Sequence, residues 1–174
     1  MSLKAEISES ALSAVDPKQY REGMSRLGAA VSIVTTQGKA GQAGLAATAV
    51  TSVTDQPATL IVCINSLSRS GHTIEENEVF AVNVLSADDQ YVAEVFGGYT
   101  DVPRDKRFDV GEWQIGATGV PVLKTAIATF ECRVTGQNIV ASHRVLLGEV
   151  VAVHLGQKAE PLMYFDRDYR KIEL

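Results

Sequence analysis

Apolar residues recur along this chain with two periods, and the period changes near residue 28. Asp16-Pro17 supplies a capping acid and a first-turn proline. Tyr20, Met24 and Leu27 follow at i, i+4 and i+7, which predicts one apolar helix face, with Gly28 as its stop. Beyond it the pattern is that of strands. Val31 to Thr36 is rich in β-branched residues, and Gln37 to Gly44, with three glycines, reads as a hairpin loop. Leu45 to Val53 predicts a second strand. Thr59 to Ile64, short and apolar, predicts a third that is buried on both faces. Ser68 to Asn77 reads as a loop entering a short helix, with Thr73 and Glu76 at capping-box spacing. Val79 to Leu85 is a strand. Ser86 and Asp89 repeat the capping pattern before a helix face of Val92, Val95 and Phe96, closed by Gly97-Gly98. Residues 99–120 are irregular, with Trp113 as their anchor. Strands return at Ala126–Val134, Ile139–His143, Arg144–Leu155 and Leu162–Phe165.

Many strands at short spacing with few, short helices predict a mainly β fold of barrel type. The strand–helix alternation of a doubly wound sheet is missing. No repeat or linker divides the chain. Residues 1–15 are expected to be a flexible leader, and 16–174 one domain.

Composition narrows the partners. The 174 residues are 45% hydrophobic and 21% charged, enough apolar material for a core. Sixteen basic against 21 acidic residues leave a net charge of −5, which argues against nucleic acid. No apolar run approaches the roughly 18–20 residues of a membrane span, and residues 1–15 hold no apolar signal core. A cytoplasmic protein is expected. Cys63 and Cys132 sit in strand-like runs and read as small core residues.

The chemistry-bearing motifs are few. There is no G-x-G-x-x-G, P-loop or G-x-S-x-G, and the three histidines share no metal-ligand spacing with the cysteines. Two stretches stand out. In Leu45 to Val53, small residues would let a planar ring approach the backbone, with Thr48, Thr51 and Ser52 to bond its polar edge; composition alone favours an ordinary strand with hydroxyls facing water. In Asn65 to Thr73, hydroxyls, a glycine and Arg69 enter a helix N-terminus. This is either an anion site suited to phosphate or a capped helix start with a surface arginine.

The order of several segments resembles the flavin reductase-like family, in particular the small reductase components of two-component flavin monooxygenases. The nearest likeness is to those serving 4-hydroxyphenylacetate hydroxylation and pyrimidine breakdown. The matching stretches include Gly28–Thr36, Ala47–Asp55, Leu60–Asn65, Ala81–Leu85, Phe96–Gly98, Lys106–Phe108, Ser142-His143 and Tyr164–Tyr169. The resemblance implies a split β-barrel homodimer that binds FMN or FAD near the subunit interface. It implies oxidation of NADH, or NADPH, and delivery of reduced flavin to a partner monooxygenase. A bound-flavin reductase of a corrinoid or ferric acceptor, or an electron carrier without a nicotinamide site, are the alternatives.

By that likeness Thr48, Ala49, Val50, Thr51 and Ser52 line the isoalloxazine, while Asn65, Ser66, Ser68, Arg69 and Thr73 hold the ribityl phosphate. Asn83 belongs to the flavin pocket or its support. Phe96 and Arg107 resemble positions near the cofactor on the covering loop. His143 resembles a histidine beside the nicotinamide, and Arg167 and Tyr169 resemble tail residues that close over the cofactor. Two departures stand against the pattern. Ala141 occupies a position where the family often has glycine, and Asp168 follows Arg167 where a second basic residue is common.

Overall fold

The computed structural model describes residues 14–174, so the expected leader lies almost wholly outside the described residues. Helix α1 (Pro17–Ser25) starts as the sequence predicts, with the Asp16 carboxylate accepting from the Lys18 amide at 3.1 Å. It ends at Arg26, before Gly28. There follow β1 (Ala29–Ala30), β2 (Ser32–Gly38), β3 (Gly41–Ala47), β4 (Val50–Asp55), β5 (Ala58–Asn65), α2 (Arg69–Asn77), β6 (Val79–Val84) and α3 (Gln90–Gly97). After a 3-10 turn (Arg104–Asp109) come β7 (Trp113–Ile115), β8 (Pro121–Leu123), β9 (Ala128–Val140), β10 (His143–Leu155), β11 (Leu162–Phe165) and β12 (Asp168–Lys171).

Seven strands form one antiparallel sheet in the order β3-β2-β6-β9-β10-β5-β4. Its two edge strands are consecutive in the chain, with only Thr48 and Ala49 between them. Those residues reach at most about 11 Å at about 3.8 Å per Cα step. A flat sheet of this size would be about 29 Å wide at about 4.8 Å per strand. The sheet therefore curls until its edges meet at this junction. Among the described pairings no ladder joins β3 to β4, so the curl stays open. Two register shifts in β10, at Leu147/Gly148 and Val150/Ala152, add local bend.

The concave face packs Val34, Val62, Phe80, Val82, Cys132 and Leu146. A second cluster joins Ile33, Leu85, Val95, Phe96 and Leu123 and holds α3 against the sheet. One charge is buried with them. Glu131 of β9 accepts from the Ala117 and Thr118 amides (2.9 and 2.7 Å) and the Thr118 hydroxyl (2.6 Å), and meets His154 Nε2 at 2.6 Å. Burial pushes its pKa up. The bonds from Thr118, His154 and Ala117 outweigh that and bring it down to about 2.

The mainly β expectation holds, with several local differences. The run 45–53 is two strands, cut at Thr48-Ala49. The hairpin loop is only Lys39-Ala40. In β5 only Leu60, Val62 and Ile64 are buried, so one face is covered rather than two. Residue 139 continues β9, and β12 was not expected. Ser68, not Thr73, caps α2: its hydroxyl accepts from the Gly71 amide at 3.3 Å, while Thr73 donates back to the Arg69 carbonyl. The Ser86–Asp89 box forms as predicted. The α1 face stands in solvent: Tyr20, Met24 and Leu27 are 60%, 45% and 64% exposed.

Candidate functional site

Three recesses follow one another along β3, beneath α3 and the start of α2. The first, about 200 Å³, is walled by Ala46, Ala47, Thr48, Tyr99, Tyr164 and Tyr169. The second, about 420 Å³, is lined by Ala46, Ser68, Ser70, Gly97, Gly98 and Arg107. The third, about 180 Å³, collects Gln42, Arg69, Thr73, Arg104, Arg107 and Phe108. Ala46 and Gly97 line both the first and second, while Ser70, Phe96, Arg104 and Arg107 line both the second and third. The result is one groove graded from aromatic through hydroxyl and glycine to cationic.

Local packing sets that gradient. The Ser70 hydroxyl donates to the Gly44 carbonyl at 2.9 Å, which pins the start of α2 to β3. Gly44 is required there, since a Cβ would stand 2.6 Å from the Phe96 ring. Phe96, Phe108 and Trp113 pack with ring centroids 5.1–5.5 Å apart, and the Trp113 indole donates to the Val110 carbonyl at 2.8 Å. This aromatic group fixes the 3-10 turn and so places Arg104 and Arg107. Arg107 donates through Nη1 to the Phe96 carbonyl at 3.3 Å, and its Nε is buried without a partner. Burial, and then the neighbouring Arg104, lower the Arg107 pKa, but a guanidinium stays charged at any physiological pH. Among the described residues, no ion pair engages Arg69, Arg104 or Arg107.

A separate apolar groove of about 810 Å³ opens at the mouth of the curled sheet, against Leu27, Val84, Phe130, Val150 and Val153. Thr48 lines both this groove and the aromatic recess. Ala49, Val50, Thr51 and Ser52 line the apolar groove alone. Thus the structure brings Thr48, Ser68, Arg69, Thr73, Phe96, Arg107 and Tyr169 to the graded groove.

Five expected residues line none of these cavities. Asn83 is fully buried. Its amide donates to the Ile33 carbonyl and Thr35, and its oxygen accepts from the Leu123 amide and Thr129. All four of these bonds are within the protein, which matches the supporting role, the second of the two expected for it. Arg167 is turned to α1, where it pairs with Glu22 at 2.7 Å. Asp168 pairs with Arg170. Asn65 accepts from the Leu67 amide within its turn, and Ser66 Oγ is buried without a partner. His143 is exposed opposite Asn65, with Nδ1 2.9 Å from the Ser142 hydroxyl. The turn that presents it places Ala141 at φ +50°, the left-handed region that favours glycine. Sequence reasoning did not single out Ser70, Tyr99, Arg104 or Tyr164. Arg104 belongs to the run Arg-Asp-Lys-Arg, which reads as a solvated face.

The family model described as the flavin reductase like domain matches residues 24–173. The chain belongs to the flavin reductase-like family. This flavin reductase-like chain is 45% identical over 159 residues to the FMN reductase (NADH) RutF of Ancylobacter novellus, covering 91% of this chain and 87% of that protein. BorF, the flavin reductase component of a bacterial two-component tryptophan halogenase, superposes with a TM-score of 0.83 at 28% identity, covering 90% of this chain and 98% of BorF. The Streptomyces globisporus NADH:FAD oxidoreductase SgcE6, solved with NAD and FAD fragments, gives 0.83 at 25% identity, over 93% of this chain and 98% of that one. The enzyme class expected from the sequence, an NAD(P)H:flavin oxidoreductase, holds with this membership.

Proposed function

We propose that this flavin reductase oxidises NADH, reduces FMN, and releases the reduced flavin to a separate monooxygenase. The observation that carries the reading is the graded groove along β3. An elongated ligand with an aromatic ring at one end and a phosphate at the other matches its aromatic, hydroxyl and triple-arginine recesses in order. The partnerless Nε of Arg107 and three arginines without a carboxylate fit a phosphate.

In this assignment Ser68, Arg69 and Arg107 hold the phosphate, with the N-terminal amides of α2 behind them. Ala46, Ala47 and Gly97 give the ligand a close approach to backbone, and Thr48 and Tyr169 flank the ring. Bound flavin supplies the hydride-accepting chemistry. The chain supplies placement, so no catalytic acid or carboxylate pair is needed. His143 is assigned to the nicotinamide side on the family likeness; its Nδ1 meets the Ser142 hydroxyl, which leaves Nε2 for a ligand.

A second copy of the chain is the proposed occupant of the apolar groove. The solvent-facing residues of α1, with Leu27 and Val153 at the groove itself, form an apolar surface that the described residues leave uncovered. The proposed setting is the cytoplasm, in keeping with the free thiols Cys63 and Cys132. Among the described residues no helix is long and apolar enough to cross a membrane.

The test is NADH absorbance decay with added FMN or FAD. Turnover that rises and saturates with free FMN is expected. Flavin binding without NADH oxidation would leave only a carrier, and the reductase reading would fall.

A further inference from the structure

We propose that Arg104 makes this site select FMN over FAD, by closing the cationic recess around a terminal phosphate. The inference rests on the flavin reading of the groove and adds a residue to it.

From Thr48 to Gln42 the groove follows β3 for about 20 Å at about 3.3 Å per residue. Three elements line its cationic end. Gln42 and Gly44 come from β3, Arg69 and Thr73 from α2, and Arg104 and Phe108 from the 3-10 turn. At about 180 Å³ this recess is a little under half the size of the middle one, about 420 Å³. It also falls below the roughly 300–1,000 Å³ of sites that enclose a drug-sized ligand. A phosphate group fits this recess, and an adenosine beyond it would lie outside.

Charge points the same way. Arg104 and Arg107 line the same recess, and no carboxylate among the described residues pairs with either. Two adjacent guanidiniums repel, and an anion between them removes that cost. A phosphate monoester carries about −1.5 to −2 at neutral pH and presents three acceptor oxygens. That matches the forked donors of Arg69, Arg104 and Arg107. Each phosphate of a dinucleotide is singly charged, and one of its oxygens is taken up by the bridge to the next group. Arg104 thus rewards the terminal dianion over the singly charged phosphates of the longer cofactor.

The experiment is a fluorescence titration of riboflavin, FMN and FAD with the intact protein, its Arg104→Gln variant and its Arg104→Lys variant. The native protein should bind FMN more tightly than FAD. Arg104→Gln should weaken FMN by about tenfold, the worth of one charge-assisted contact, and FAD by much less. The FMN/FAD preference then collapses, and Arg104→Lys restores part of it. Riboflavin, which has no phosphate, should bind all three proteins alike, which also reports that they are folded. Unchanged FMN/FAD ratios in Arg104→Gln would overturn the inference while leaving the flavin reading intact. A native protein that binds no flavin would overturn that reading, and the inference with it.

Discussion

Glu131 lies wholly inside the sheet and is nevertheless held ionised, because its oxygens face donors from Thr118, His154 and Ala117. Its pKa in the fold, about 2, lies below the ordinary 4.5. The carboxylate therefore contributes stability that is complete above pH 4.5 and is lost as pH falls toward about 2. Glu131→Gln exchanges a charged acceptor for a neutral amide and leaves buried donors poorly matched. We expect a loss of about 1–3 kcal/mol at neutral pH, read by urea unfolding. The variant should also lack the fall in stability across that acid window. Cys132, next along the strand, behaves as the sequence suggests: burial, then Glu131, push its thiol up to about 12, so it is inert packing.

At the scale of elements, the bend of β10 rests on Gly148. A side chain there would run into the Phe80 ring, beside Cys132, at the centre of the concave core. Gly148→Ala should destabilise by about 1–3 kcal/mol through overpacking, measurable as a lower unfolding midpoint. Local signals made many elements readable in advance. Asp16-Pro17 located α1, and the Ser86–Asp89 box located the entry to α3. Other elements gave no such signal. Residues 45–53 contain no glycine or proline to announce the cut at Thr48-Ala49. That break comes from the curl of the sheet, a tertiary demand. β12 is Asp-Tyr-Arg-Lys, too polar to read as a strand, and forms because β11 offers it a partner. The candidate site divides in the same way. Ser68 and Arg69 were visible from a hydroxyl-rich helix entry, whereas Arg104 and Tyr99 reach the groove through packing of Phe96, Phe108 and Trp113 and the fold of α3. Arg167 looked available until the fold set it beside Glu22, 145 positions away.

For the molecule as a whole, the helical period of Tyr20, Met24 and Leu27 was legible, but no surface among the described residues buries it. A second copy would account for both that face and the apolar groove. Light scattering should give twice the chain mass. Val153→Lys, at a residue 51% exposed on the groove, should shift the protein toward monomer while the fold persists by circular dichroism. A monomeric native protein at working concentration would defeat this assignment.

The junction that lets the sheet curl has a thermodynamic consequence. Thr48 is a wall common to the aromatic recess and the apolar groove, so a ring on one side and a partner copy on the other bear on the same two-residue span. Each occupant then changes the affinity for the other by one reciprocal factor. FMN should lower the concentration at which the dimer comes apart, and dilution into monomer should loosen FMN by the same ratio. Sedimentation with and without FMN measures one side of that equality, and flavin titration across a dilution series measures the other.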